Sequence, residues 1–221
     1  MAVVAFDTSA NSGAISNTAS ISFNITVGAN TNRYLLVAVQ SDVGAAVTTG
    51  ITAGGTAMAS LGVEAANGNI TSQLWGLLAP TTGVIAIAVT VSTVLEWTAT
   101  AASFYNVSQS VPTANYTTNT ANNANPTIII TSSTGDMCLE APSLGDGNFV
   151  DTLVPISGQT QINQIRLAAG EYVTAVSYIA AGDPSTTLDW TSLTGVNWAN
   201  AGVTLKAFSA STDTLMGQML Y

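Results

Sequence analysis

Residues 74–95, LWGLLAPTTGVIAIAVTVSTVL, run for 22 positions without a charged side chain. A membrane-spanning helix needs about 20 predominantly apolar residues, so this run decides the class of fold. It breaks in its own middle: Pro80 and Gly83 lie in APTTG, where a missing N–H and a permissive backbone signal a turn. Past the turn, Ile85, Ile87, Val89 and Val91 fall on one face and Val84, Ala86, Ala88 and Thr90 on the other. A period of two is that of a strand. The most apolar stretch of the chain therefore predicts two strands and a turn, and no membrane helix.

The same period recurs. ISFNITV places Ile21, Phe23, Ile25 and Val27 on one face, and YLLVAVQ (34–40) is apolar on both, as a central strand is. Strands are also predicted after the Asn67-Gly68 turn, in WTATAASFYNV, PTIIITSS, DMCLEA and EYVTAVSYIA, and in WANAGVTLKAF, where Lys206 points away from the apolar face. Turn clusters such as TAGG, STGD, GDGN and GDPS separate them, and no helical stripe of useful length occurs. The expectation is an all-β antiparallel sandwich of about ten to twelve strands. It would form one domain over residues 1–208 with an N-terminal arm (about 1–18), followed by a tail at 209–221. VPTANYTTNTANNANP (111–126) has no strand pattern and is expected to be a polar loop at one end of the sandwich or a domain boundary. No internal repeat is visible.

Charge narrows the partners. Only 7% of residues are charged, against about 25% in an ordinary domain. The net charge is −9 and the only cations are Arg33, Arg166 and Lys206. Nucleic-acid binding needs a basic footprint, and an anionic membrane surface needs the same; neither is expected. Cys138 is the only cysteine and there is no histidine, which removes an intrachain disulfide and the commonest general base and metal ligand. MAVVAFDTSANSG has no basic, then apolar, secretory pattern. If Met1 is the native start, the chain is made in the cytosol.

Chemistry would have to rest on carboxylates, hydroxyls or the lone thiol. Two carboxylates suffice for glycoside hydrolysis; Glu96, Glu140 and Asp189 interrupt apolar strand patterns and are the candidates, with outward-facing charge that discourages edge pairing as the expected role. Cys138, between Asp136 and Glu140, lacks the positive surroundings a thiolate needs and is expected to be a buried hydrophobe. Asp146, Asn148 and Asp151 supply oxygens of the kind calcium takes, without the EF-hand spacing, and an ordinary turn accounts for them. Trp75, Trp97, Trp190 and Trp198 are expected in the core; Trp190 and Trp198, near strand ends around TSLTG, are the two that a sugar-binding reading would use. No catalytic, cofactor or metal residues are assigned.

The ends of the chain carry unexplained apolar residues. Val3, Val4 and Phe6 open it, and Leu215, Met216, Met219, Leu220 and Tyr221 follow the last strand. Exposed apolar segments mark contact sites, and Met adapts to such surfaces. Both groups are expected to be interface elements, with one more edge strand as the other reading of the tail.

NRYLLVAVQ (32–40), ITAGGTAM, LWGLLAPTTG, the STGDM turn and the closing WANAGVTLKA together resemble a jelly-roll-type β-sandwich module of tailed-phage structural proteins, also found in bacterial surface proteins. The resemblance covers about residues 20–208. It implies a non-enzymatic virion protein without cofactor, most similar to head decoration or cement proteins. Such a protein is made in the host cytoplasm and sits on the virion surface as a homotrimer, against the major capsid protein or another virion protein. The alternatives are a carbohydrate-binding or adhesion module of a tail fibre or cell surface, and a subunit of an extracellular filament.

Overall fold

The computed structural model describes residues 2–42, 48–93, 96–145, 152–167, 172–180, 184–192 and 195–210. Every element named among them is a strand, 18 in all, which upholds the all-β class and exceeds the expected count. The first ten are β1 (Ala5–Asn11), β2 (Ser20–Val27), β3 (Tyr34–Ser41), β4 (Thr48–Ala53), β5 (Thr56–Ala57), β6 (Ala59–Ser60), β7 (Ala65–Asn67), β8 (Ile70–Leu78), β9 (Gly83–Val91) and β10 (Trp97–Tyr105). They form two antiparallel sheets, β1-β10-β3-β8-β6 with β7 also on β8, and β2-β9-β4-β5. This is the strand order of a jelly roll.

The remaining strands are β11 (Thr113–Asn123), β12 (Thr127–Ile130), β13 (Met137–Gly145), β14 (Val154–Pro155), β15 (Thr160–Leu167), β16 (Tyr172–Ala180), β17 (Thr186–Thr191) and β18 (Val196–Leu205). Their sheets are β11-β18-β13-β16-β15 and β12-β17-β14, so the first order recurs without counterparts of β5 and β7. The chain thus carries two jelly-roll strand orders in tandem. Residues 5–11, expected within an arm, are an edge strand paired to β10. Residues 113–123, expected as loop, are the edge strand β11, whose burial pattern shows no inward-outward alternation.

The two rolls stack through their large sheets, of six and five strands, giving four β layers. One core lies between β2-β9-β4 and the first large sheet, built from Ile25, Val37, Ile87 and Trp97 among others. The middle core, with Leu36, Leu74, Phe104, Leu139 and Val203, joins the two large sheets. Two smaller clusters, around Trp190 and Trp198 and around Ile128 and Leu188, hold the three-stranded sheet on the far side. The central strands β3 and β13 are thus buried at every position.

Local chemistry locks these layers. Arg33, just before β3, donates from Nε to Pro80 O (3.0 Å) and from Nη1 to Asn30 O (2.7 Å), tying the APTTG turn to the loop after β2. Trp97 stands opposite Ser41 and Trp198 opposite Leu144 in equivalent ladders. Each indole N–H reaches the start of its own roll: Trp97 to Thr18 O, between β1 and β2, at 2.9 Å, and Trp198 to Asn123 Oδ1, at the end of β11, at 3.0 Å. Pro142 lies inside β13, and the β13–β16 register passes from Glu140↔Ser177 to Ser143↔Thr174 without it. A proline has no N–H to give. Gln40 of the other roll fills the gap, its Nε2 donating to Pro142 O (2.6 Å) and Ala175 O (3.0 Å).

Candidate functional site

Two places combine reactive or exposed groups. The first is Glu140. Four residues back from Ser41 and from Leu144, the matched positions of β3 and β13 are Val37 and Glu140. Where the first roll has an aliphatic side chain, the second has a carboxyl with no exposure at all. The expectation of an outward charge is corrected: β13 is covered on both sides, so neither of its faces meets water.

Neutral donors hold the carboxyl. Oε1 accepts from Gln159 Nε2 (2.9 Å), Ser177 Oγ (2.9 Å) and Trp190 Nε1 (2.5 Å), and Oε2 accepts from Asn200 Nδ2 (2.6 Å). Burial pushes the group from 4.5 up to about 7; the bonds from Asn200, Ser177 and Trp190 pull against this, and the charge of Asp189 adds to it. Asp189 itself is half-buried, accepting from Ser157 Oγ at 3.1 Å and linked through its N–H to Gln159 Oε1 at 3.0 Å. Glu140 and Asp189 are therefore neighbours through one glutamine, while Glu96 belongs to a different part of the fold, its carbonyl bonded by Asp42 N–H. A carboxyl sealed under two layers has no route to a substrate in this conformation. Among the described residues no group of three His, Cys, Asp or Glu side chains gathers to hold a metal.

The tryptophans follow the same logic. Trp190 is 0% exposed and Trp198 1%, so neither of the residues proposed for sugar stacking has a ring face in solvent. Their polar edges are already bonded, to Glu140 and Asn123. Cys138 is a buried free thiol, as expected. The loop carrying Asp146, Asn148 and Asp151 lies outside the described residues.

The second place is where the first described residues meet the segment after β18. Ala2 N–H donates to Phe208 O (3.3 Å), Val4 N–H to Gly135 O (2.9 Å), and Phe208 N–H to Asn106 O (2.8 Å); Asn106 Nδ2 donates to Val3 O at 3.1 Å. Of the three N-terminal candidates, Val4 is buried at 1% and Phe6 is half-buried, stacked on Tyr178 at 5.6 Å and edge-on to Phe104 at 5.9 Å. Val3 alone projects, 55% exposed.

Beside it opens a cavity of about 360 Å³ lined by Ser108, Ser110, Val111, Ser133, Thr134, Asp136, Lys206, Ala207 and Ser209. Val111 is 53% exposed. Asp136 accepts from Ser133 N–H and Ala207 N–H at 2.9 Å and from Lys206 Nζ at 2.5 Å. Lys206 is thus paired rather than simply solvated. The tail candidates Leu215, Met216, Met219, Leu220 and Tyr221 lie outside the described residues, which stop at 210 beside this cavity.

No protein-family model and no curated protein sequence matches this chain. No helix among the described residues is long and apolar enough to cross a membrane.

Proposed function

We propose that this chain is a non-enzymatic structural protein of a virion, a decoration or cement protein that binds the outside of a capsid and associates with itself, as a closed trimer. The observation that carries the reading is the meeting of residues 2–4 with residues 106 and 208 at one place on the surface, where Val3 and Val111 are exposed. Exposed valines, together with a sequence that continues into the apolar residues Leu215, Met216, Met219, Leu220 and Tyr221, fit a contact element for a partner surface. A rigid four-layer body with few charges suits a static structural role. Contacts repeated over a lattice add up at about 25 cal/mol per Å² of apolar area, less the cost of association.

Light scattering of the purified protein over a concentration range tests this. A fixed trimer mass that drops to monomer on deletion of 211–221, and that weakens on Val3→Asp without loss of fold, is the expected outcome. Open-ended growth would favour the filament, since only a closing contact stops at a ring. A monomer with unchanged particle occupancy after the deletion would sink the proposal. The sugar-binding alternative loses its two aromatic candidates to the core and rests on the hydroxyl-lined cavity alone.

A further inference from the structure

We propose that Glu140 is a proton-operated latch that fastens the outer three-stranded sheet to the large sheet of the second jelly roll, closed when the carboxyl carries a proton and weakened when it is ionised. The carboxyl stands between two layers and bonds both. Ser177 of β16 and Asn200 of β18 belong to the large sheet; Trp190 belongs to β17 of the outer sheet, and Gln159 bridges to the Asp189 backbone of that strand. It is the one polar side chain that all four of these segments grip.

No counter-charge is present to favour the ionised form. The chain has three cations in all. Arg33 is engaged with Pro80 and Asn30, Arg166 Nη2 with Thr152 Oγ1, and Lys206 with Asp136. Among the described residues the ionisable groups on the surrounding elements are Asp189 on β17, Cys138 two residues away on β13, Arg166 on β15 (opposite Val173, not Ser177), and the Asp136–Lys206 pair before β13 and after β18. Tyr172 and Tyr178 of β16 pack into the middle core instead. None of these brings net positive charge to the carboxyl. The acceptor for a proton is at hand as well: Asn200 Oδ1 is buried and has no hydrogen-bond partner. Turning that amide, whose two ends have the same shape, sets it against Oε2.

The sign of the linkage follows. The folded group titrates at about 7 against 4.5 when unconstrained. The closed latch therefore binds the proton more tightly than the open one, is strongest below about 4.5, and loses that advantage as pH rises through about 7.

Carboxyl-labelled glutamate followed by NMR from pH 4 to 9 tests it directly, since the chain has only four glutamates: Glu64, Glu96, Glu140 and Glu171. One resonance titrating near 7, absent in Glu140→Gln, is expected. Amide exchange of β12 and β17, corrected for intrinsic rate, should accelerate on the order of a hundredfold between pH 5 and 8 in the native protein and stay flat in Glu140→Gln. Four glutamates all titrating below about 5, or equal pH dependence of exchange in the two proteins, would overturn the latch. If the variant does not fold, the native titration alone decides.

Discussion

A carboxyl removed from water and from every cation must be satisfied by neutral donors, and the four around Glu140 then depend on it in return. Glu140→Ala would leave Trp190 Nε1, Asn200 Nδ2, Ser177 Oγ and Gln159 Nε2 without their acceptor and open a void under the outer sheet. Each buried unsatisfied group costs about 1–3 kcal/mol and the void adds to that, although some donors will find other partners. A net loss of about 2–4 kcal/mol is expected by denaturant unfolding at pH 5. Glu140→Gln should lose less than about 1 kcal/mol there, because one amide oxygen serves three donors and its NH₂ meets the turned Asn200. Equal losses for the two variants would mean that side-chain volume, not acceptor chemistry, matters at this position. Alternation could not have located this site. It tells inside from outside only when one face of a strand is wet, and β13 has no wet face. Cys138 was legible because a small apolar side chain is buried under either reading. The burial of Val4 was not legible because nothing in the sequence marks the neighbouring residues 5–11 as paired to β10.

At the level of the strand, Pro142 poses the sharper problem. A proline inside a pattern argues against a central strand, and DMCLEA ends before it, yet β13 continues to Gly145. The continuation depends on Gln40, which lies far away in sequence and in the other roll, a contact that no local pattern encodes. Gln40→Leu should cost about 2–3 kcal/mol by leaving the Pro142 and Ala175 carbonyls bare. In a Pro142→Ala background a main-chain N–H returns to the strand, and the same substitution should cost at least 1 kcal/mol less, a coupling measurable by a double-mutant cycle. Additive effects would show that the glutamine does not stand in for the missing N–H. The same proline chemistry appears at an edge. Ile156 N–H donates inward to Asp189 O, so Pro155, one residue earlier, turns its nitrogen to the open side of β14. No donor is offered there, which blunts the edge against strand addition.

For the molecule as a whole, the question is whether two jelly rolls amount to two domains. Class and strand periods were readable from residues 20–40 and 74–95 alone, whereas the tandem repeat was not. A jelly roll constrains strand order and facing, and those tolerate almost any apolar residue; the matched pairs Val37/Glu140 and Ser41/Leu144 share no chemistry. Identity survives at few matched positions, among them Trp97/Trp198, Leu36/Leu139 and Ala38/Ala141. The rolls nevertheless do not look separable. Leu36, Leu74 and Phe104 of the first and Leu139, Val203 and Leu205 of the second are all 0% exposed within one shared core. Exposing six such side chains at about 1.5–3 kcal/mol each forfeits on the order of 10 kcal/mol, as much as the whole stability of an ordinary domain. Separation also strips the Gln40 bonds to Pro142 and Ala175. Heating should therefore give a single transition whose calorimetric and van't Hoff enthalpies agree, and residues 1–107 produced alone should aggregate rather than fold. Two resolved transitions, or a soluble and cooperatively folding first half, would mean that each roll is stable by itself and that the middle core is a docking interface between finished domains.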